Sequence, residues 1–178
     1  MGSGGSYYDE QQLSATLQRL AAQQRFLLDA STLIILDKAG LLQVIMPELP
    51  CETIQEVANE VGDTLIAHAG IDVRPACIPT THNRRPDTDS LLFSTAQTEK
   101  LALVSEDKKL LRRCDGAGVP YYNAAMLFLR LRMQSVAGAG LGVQPQDTYR
   151  QLCEAARYSQ QVLDYLDALD LYLLKQGR

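Results

Sequence analysis

Apolar residues follow two different periods along this chain. Short apolar runs, typical of buried strands, alternate with stripes at three- and four-residue spacing that are typical of helices. Strands are predicted at Arg25–Asp29, Ile71–Val73, Leu101–Ser105 and Val119–Tyr122. Helices are predicted at Gln11–Gln24, Ala30–Ala39, Glu52–Val61, Gly62–Ala67, Ala124–Val136 and from Asp87 or Thr88 through Ala96. This alternation predicts an α/β fold, a three-layer sandwich with a mostly parallel central sheet and helical additions at both ends.

Three regions are predicted along the 178 residues. Residues 1–24 form a flexible leader and an N-terminal helix, and residues 25–137 form the α/β domain. A glycine-rich linker at Gly138–Gly142 then leads to a C-terminal helical extension at residues 143–178. This extension is read as one long helix or a pair, with a heptad-like seam at Val162, Leu166, Leu169 and Leu173. The seam is expected to pack on the core or across a homodimer.

Composition narrows the class of protein. With 46% apolar and 21% charged residues the chain has the composition of a typical globular protein. Its net charge of −4 argues against a surface covered with basic residues. Its apolar runs are too short to span a bilayer and no hydrophobic signal segment opens it, so we expect a cytoplasmic protein without a membrane partner. The four cysteines form no CxxC pair, which favours free thiols over zinc ligands or disulfides.

Acidic residues stand where strands end. Asp29 follows three apolar strand residues, and Asp107 comes just after the apolar run Leu101–Val104. Asp89, near the start of the preceding helix, can reach the same rim, because ligands of open α/β sheets bind beyond the carboxyl ends of strands. Carboxylate oxygens are the ligands that hard cations prefer. These acids therefore suggest a divalent metal site.

Three segments in this order are similar to the motifs of the PIN-domain family of metal-dependent ribonucleases. Leu27–Ile34 (LLDASTLI) resembles the family's opening strand and Asp-x-Ser turn, and Cys51–Val57 (CETIQEV) resembles the segment that carries its glutamate. Asp89–Ala96 (DSLLFSTA), continuing to Leu103–Asp107 (LVSED), has the family's common interval between aspartates and a serine at its usual Ser or Thr position. The resemblance covers about Arg25 to Leu131.

This resemblance implies a PIN-like domain that hydrolyses RNA with Mg²⁺ or Mn²⁺. It implies the catalytic carboxylates Asp29, Glu56, Asp89 and Asp107. Asp29, Asp89 and Asp107 would be the metal ligands, Glu56 would be an outer ligand or orient the attacking water, and Ser31 and Ser105 would hold carboxylates by hydrogen bonds. The family includes toxins of bacterial toxin–antitoxin pairs. If this chain is such a toxin, an antitoxin protein is an expected partner. The chain departs from the pattern in its length and in Lys108 and Lys109, where some relatives carry a further aspartate.

Basic residues flank the proposed site in sequence. They suit RNA phosphates, and their alternative is an ordinary solvated face. They are Arg84, Arg85, Lys108, Lys109, Arg112 and Arg113.

Other readings of the acids stay open. Asp87 or Asp89 can serve only as a helix cap, and Glu56, Glu52 and Glu60 can be solvated helix acids. Asp29 could also be a phosphoacceptor, as in receiver domains or haloacid-dehalogenase-like phosphatases. The latter would need a second aspartate at position 31, which is serine. The stronger rival is a non-catalytic PIN-like module that binds RNA or a protein.

Overall fold

A computed structural model describes residues 8–79, 86–136 and 145–176 of the chain. Its centre is a five-stranded sheet in the order β3-β2-β1-β4-β5, and every neighbouring pair is parallel. The strands are β1 (Phe26–Leu28), β2 (Cys51–Ile54), β3 (Asp72–Arg74), β4 (Ala102–Val104) and β5 (Tyr121–Tyr122).

Ten helices are described around this sheet. They are α1 (Glu10–Ala21), α2 (Ala30–Lys38), α3 (Leu42–Ile45), α4 (Gln55–Val61), α5 (Asp63–Ala69), α6 (Thr88–Glu99), α7 (Lys108–Ala117), α8 (Ala124–Val136), α9 (Pro145–Ala156) and α10 (Gln160–Gln176). The prediction of an α/β fold with a mostly parallel sheet is confirmed, and the C-terminal segment is a helical pair.

Helices cover the sheet from two sides. From β1 the chain moves through α2 to α5 towards the β3 edge, and then returns through α6 and α7 towards the β5 edge. Right-handed crossovers running in opposite directions place their helices on opposite faces of a sheet. Packing agrees with this, because α6 contacts α7, whereas α2 contacts α4, α8 and α9. The arrangement is that of an α/β sandwich with the sheet as its middle layer.

The segment from Glu52 to Val61 differs from its sequence prediction. Its first part is strand β2, with all four residues buried, and the helix α4 begins only at Gln55. Ile54 fits a helical stripe with Val57 and Ala58, which is why the period alone indicated a longer helix. Residues 51–54 form a strand instead because they pair with β1 on one side and with β3 on the other.

Glu52 is not a solvated acid. Only 7% of the residue is exposed, and its carboxylate lies 2.7 Å from the Arg25 guanidinium and 2.9 Å from that of Arg74. Arg74 also pairs with Glu99 of α6 at 3.1 Å. Because a buried charge is tolerated when it is paired and hydrogen-bonded, two arginines distant in sequence allow this glutamate to lie inside the sheet.

One cluster of buried apolar residues runs through the whole molecule. Phe26, Leu27 and Leu28 of β1 are completely buried at its centre. The cluster also includes Leu17 of α1 and Leu169 of α10. The predicted seam therefore packs within the chain, with Leu166, Leu169 and Leu173 buried and Val162 partly buried against the core.

Several predicted features lie outside the described residues. They are the leader at residues 1–6, the polar loop Thr80–Arg85 and the glycine linker Gly138–Gly142. In the part of the chain that is described, no helix is both long enough and apolar enough to cross a membrane. All four cysteines are free thiols, as predicted, and burial raises the pKa of Cys51 to about 12 and that of Cys114 to about 11.

Candidate functional site

The candidate site lies where the strand order reverses. β1 is paired with β2 on one side and with β4 on the other, so successive connections leave β1 and β4 in opposite directions. Open α/β sheets bind ligands at such a switch point, beyond the carboxyl ends of the strands. Asp29 directly follows β1, and Ser105 directly follows β4.

Asp29 is held by three hydrogen bonds and is almost completely buried. It caps α2, with its Oδ1 accepting from the backbone N–H of Thr32 at 2.7 Å. Its Oδ2 accepts from the Ser31 hydroxyl at 2.8 Å and from the Ser105 hydroxyl. The hydroxyl of Thr32 donates in turn to the carbonyl of Val104 at 3.0 Å, which ties the start of α2 to β4. Both serines thus orient this carboxylate, as predicted.

Ser105 links Asp29 to Asp107. Its side chain is completely buried, and its hydroxyl oxygen accepts from the Asp107 N–H at 2.9 Å. Asp107 caps α7, with Oδ1 accepting from the N–H groups of Lys109 at 2.6 Å and Leu110 at 3.1 Å. The two predicted acids at the strand ends are therefore joined through one serine, and each begins a helix.

Asp89 lies in the first turn of α6 and is not that helix's cap. The cap is Asp87, whose side chain accepts from the Ser90 N–H at 2.8 Å. Partial burial raises the pKa of Asp89, and the negative charges of Asp107, Asp87, Asp29 and Glu60 raise it further. The charges of Asp29 and Asp107 thus act on Asp89, and the role of the three acids as metal ligands stays a prediction.

Two acids of α4 have different surroundings. Glu60, which sequence reasoning left as a solvated acid, contributes to the negative potential at Asp89. Glu56 lies in the first turn of α4, and its Oε2 is buried with no hydrogen-bond partner among the described residues. A buried carboxylate oxygen without a partner is costly, and a cation or a donor from a ligand would satisfy it.

The acids fit a hard divalent cation in chemistry but do not form a closed ligand set. Among the described residues no three His, Cys, Asp or Glu side chains lie close enough together to hold a metal ion. The available donors are carboxylate oxygens, which Mg²⁺ and Mn²⁺ prefer. Burial raises the pKa of Asp89, and a cation would relieve the repulsion by neighbouring acids that raises it further.

Glu106 is a further acid of this region that sequence reasoning missed. Its Oε1 accepts from the Ala124 N–H at 2.7 Å and from the Tyr158 hydroxyl at 3.0 Å. Burial, together with the charge of Asp29, raises the pKa of Glu106 to about 7 against these two hydrogen bonds. Glu106 could have been found in the sequence, because it follows Ser105 directly at the end of a buried strand.

The predicted basic residues separate into different surroundings. Arg113 turns towards α6, with its guanidinium carbon 4.0 Å from the centre of the Phe93 ring and Nη1 3.2 Å from the Ser90 hydroxyl. Arg112 lies on another side of α7, where it lines a groove beside β5. Lys108 and Lys109 are exposed near the start of α7. Arg84 and Arg85 lie outside the described residues.

Comparisons of the chain with family models, with curated proteins and with solved structures find no match. The resemblance to the PIN-domain family therefore stays a prediction from the sequence motifs.

Proposed function

We propose that this protein is a ribonuclease that hydrolyses RNA phosphodiester bonds with Mg²⁺ or Mn²⁺, built on a PIN-like domain. The observation that carries the proposal is the link between Asp29 and Asp107 through Ser105 at the switch point, with Asp89 within range of both charges. Burial raises the pKa of Asp89, and the charges of Asp107 and Asp29 raise it further.

In this proposal Asp29, Asp89 and Asp107 hold the cation, directly or through water. When bound, the ion supplies charge neutralisation at the scissile phosphate and activation of water for attack on it. Ser31 and Ser105 keep the Asp29 carboxylate in one orientation through their hydrogen bonds. Glu56, with its unpartnered Oε2, binds at the edge of the site or orients the attacking water.

Arg113 is suited to hold an RNA phosphate beside these acids. Its contacts with Phe93 and Ser90 fix the guanidinium next to the residue that follows Asp89. An arginine held in place loses less conformational freedom on binding than one free in solvent. Lys108 and Lys109 add positive charge at the start of α7, close to Asp107.

The rival function is a PIN-like module that binds RNA or a protein without cutting RNA. The observation that favours it is the absence of a closed ligand set among the described residues. In the toxin version of the proposal an antitoxin protein would be the partner. The cleavage experiment below distinguishes the nuclease from the binding module.

Asp89→Asn is the decisive variant. It keeps the side-chain shape but removes one charge, so we expect metal-dependent cleavage of RNA to fall by about 100-fold or more. The fold is expected to persist, because Asp87 and not Asp89 caps α6. Cleavage is measured on labelled RNA with Mn²⁺, with Mg²⁺ and with a chelator.

Asp63→Asn is the matched control, since Asp63 is also an aspartate in the first turn of a helix and is exposed on α5. It should cut RNA as the wild type does. Hydrolysis that persists in Asp89→Asn, or with chelator present, would contradict the metal site. A wild type that binds RNA and never cuts it with either ion would establish the binding module instead.

A further inference from the structure

A groove of about 1220 Å³ runs along the β5 edge of the sheet, away from the acids. One wall is α7, and the other is formed by α1 and α10. The floor is the segment from Gly118 to Asn123, which contains β5. Its aromatic and basic lining includes Tyr8, Arg19, Arg112, Tyr121, Tyr122 and Tyr165.

The groove is connected to the candidate site along the chain and through α7. Asn123 lines it, and the next residue, Ala124, donates its N–H to Glu106 at 2.7 Å. Glu106 immediately precedes Asp107, the cap of α7, and α7 carries Arg112 into the groove wall. The acids and the groove thus lie beside the same helix, α7.

Charge in the groove suits a polyanion. Arg19 and Arg112 line it, and neither forms an ion pair in the described part of the chain. The acid in the lining, Asp115, accepts a hydrogen bond from the Tyr121 hydroxyl at 3.2 Å. Two arginines against one aspartate leave a net positive charge in the lining, which favours phosphates although the whole chain is acidic.

Aromatic rings supply a second feature of nucleic-acid sites. Tyr121 is 37% exposed at the floor. On the opposite wall Tyr8 and Tyr165 pack edge to face, 5.1 Å between ring centres, and the Tyr165 hydroxyl is 2.8 Å from that of Thr16. Grooves that combine fixed aromatic rings with unpaired arginines bind single strands, because bases stack on the rings while phosphates contact the cations.

A peptide strand is a poorer occupant of this groove. β5 spans only Tyr121 and Tyr122, so a strand added at this edge would form few main-chain hydrogen bonds. The affinity of such a complex comes mainly from those bonds. Stacking and phosphate contacts need no long strand edge.

We propose that this groove binds the single-stranded part of an RNA whose neighbouring segment lies at the acids. The inference rests on the proposed function for its substrate class, RNA. It adds a second contact region that reads backbone charge and exposed bases, so that affinity depends on the length of the single strand.

The test is equilibrium binding of labelled oligouridylates to the full chain without divalent ions, so that no cleavage enters the measurement. Two lengths are compared, about 4 and about 16 nucleotides, which bracket the usual span of a single-strand groove. The longer RNA should bind at least about tenfold more tightly. Thermal melting of each variant checks that it is folded.

Tyr121→Leu removes the ring and should weaken binding of the longer RNA by about tenfold. Tyr121→Phe keeps the ring and loses only the hydroxyl, so it should bind as the wild type does. Arg19→Gln should reduce the salt dependence of binding by about 0.7 in logarithmic slope. Arg150→Gln, on the exposed face of α9, should leave that slope unchanged.

Equal affinity for the two lengths, or wild-type binding by both Tyr121→Leu and Arg19→Gln, would overturn the proposal. A wild type that binds neither oligouridylate would also overturn it. The result is separate from the nuclease test. A cleaving enzyme with unaffected groove variants refutes only the groove, and a non-cleaving protein with length-dependent binding refutes only the nuclease.

Discussion

At the scale of single residues, the position of an acid relative to a strand end decides its role. Asp29 and Asp107 both cap helices, yet both also stand at the switch point of the sheet, where Ser105 connects them. Glu106, between Ser105 and Asp107, points instead to the start of α8 and to Tyr158. Neighbours in sequence thus serve two different parts of the molecule.

Glu106 should make stability depend on pH in the metal-free protein. Its pKa is raised from 4.5 to about 7 in the folded state, so the folded protein binds this proton more tightly than the unfolded chain does. The contribution of Glu106 to the free energy of unfolding therefore falls by about 3 kcal/mol in all as the pH rises from about 4.5 to about 7. Glu106→Gln removes this charge, so relative to the wild type it should gain stability across that interval.

Chemical denaturation at several pH values, with chelator present, measures this difference. Glu48→Gln, an exposed glutamate before β2, is the control and should follow the wild-type profile. If the free energies of unfolding of Glu106→Gln and the wild type differ by the same amount at every pH, the pKa of Glu106 is not raised by folding.

At the scale of elements, the C-terminal helical pair is part of the core and also reaches the candidate site. Leu152 of α9 and Leu169 of α10 are completely buried in the common apolar cluster. Tyr158, in the turn between the two helices, donates its hydroxyl to Glu106. Packing of this pair therefore supports the segment that carries Asp107.

Leu169→Ala tests how much α10 contributes to the fold. Leu169 is completely buried, so its truncation should lower the free energy of unfolding by about 2 to 5 kcal/mol. Leu171→Ala removes the same atoms two residues along the helix, where the side chain is 55% exposed, and should cost much less. Similar losses in the two variants, measured by denaturation, would argue against the packing described for α10.

At the scale of the whole molecule, the acids and the core have opposing effects. Apolar burial holds the strand ends together, whereas the acids near Asp89 repel its charge and add to the effect of burial in raising its pKa. A bound cation would relieve this repulsion and favour the folded state. The proposed metal site therefore links ion binding to global stability.

Mn²⁺ or Mg²⁺ should raise the melting temperature of the wild type. An ion at 100 times its dissociation constant would add about 2.7 kcal/mol to the free energy of unfolding. Asp89→Asn should lose most of this gain and, without metal, should melt at or above the wild-type temperature, because one repelling charge is gone. An equal shift in both proteins on adding Mn²⁺ would place ion binding elsewhere.

The sequence by itself determined the acids at the strand ends and the alternation of strands and helices, except that β2 was predicted as part of a helix. Apolar runs such as Phe26–Leu28 bury on both faces of a parallel sheet, and the acids that follow them cap the next helices, so both are local signals. The sequence also predicted Asp87 as a cap of α6, because capping involves only neighbouring residues.

Only the tertiary structure decided the features that depend on partners distant in sequence. Glu52 is buried because Arg25 and Arg74 converge on it from other strands and loops, and no local period indicates such pairing. The same is true of Glu106, whose partner Tyr158 is contributed by the C-terminal helices. Long-range ion pairs and hydrogen bonds settle which acids are structural and which are left to face a ligand.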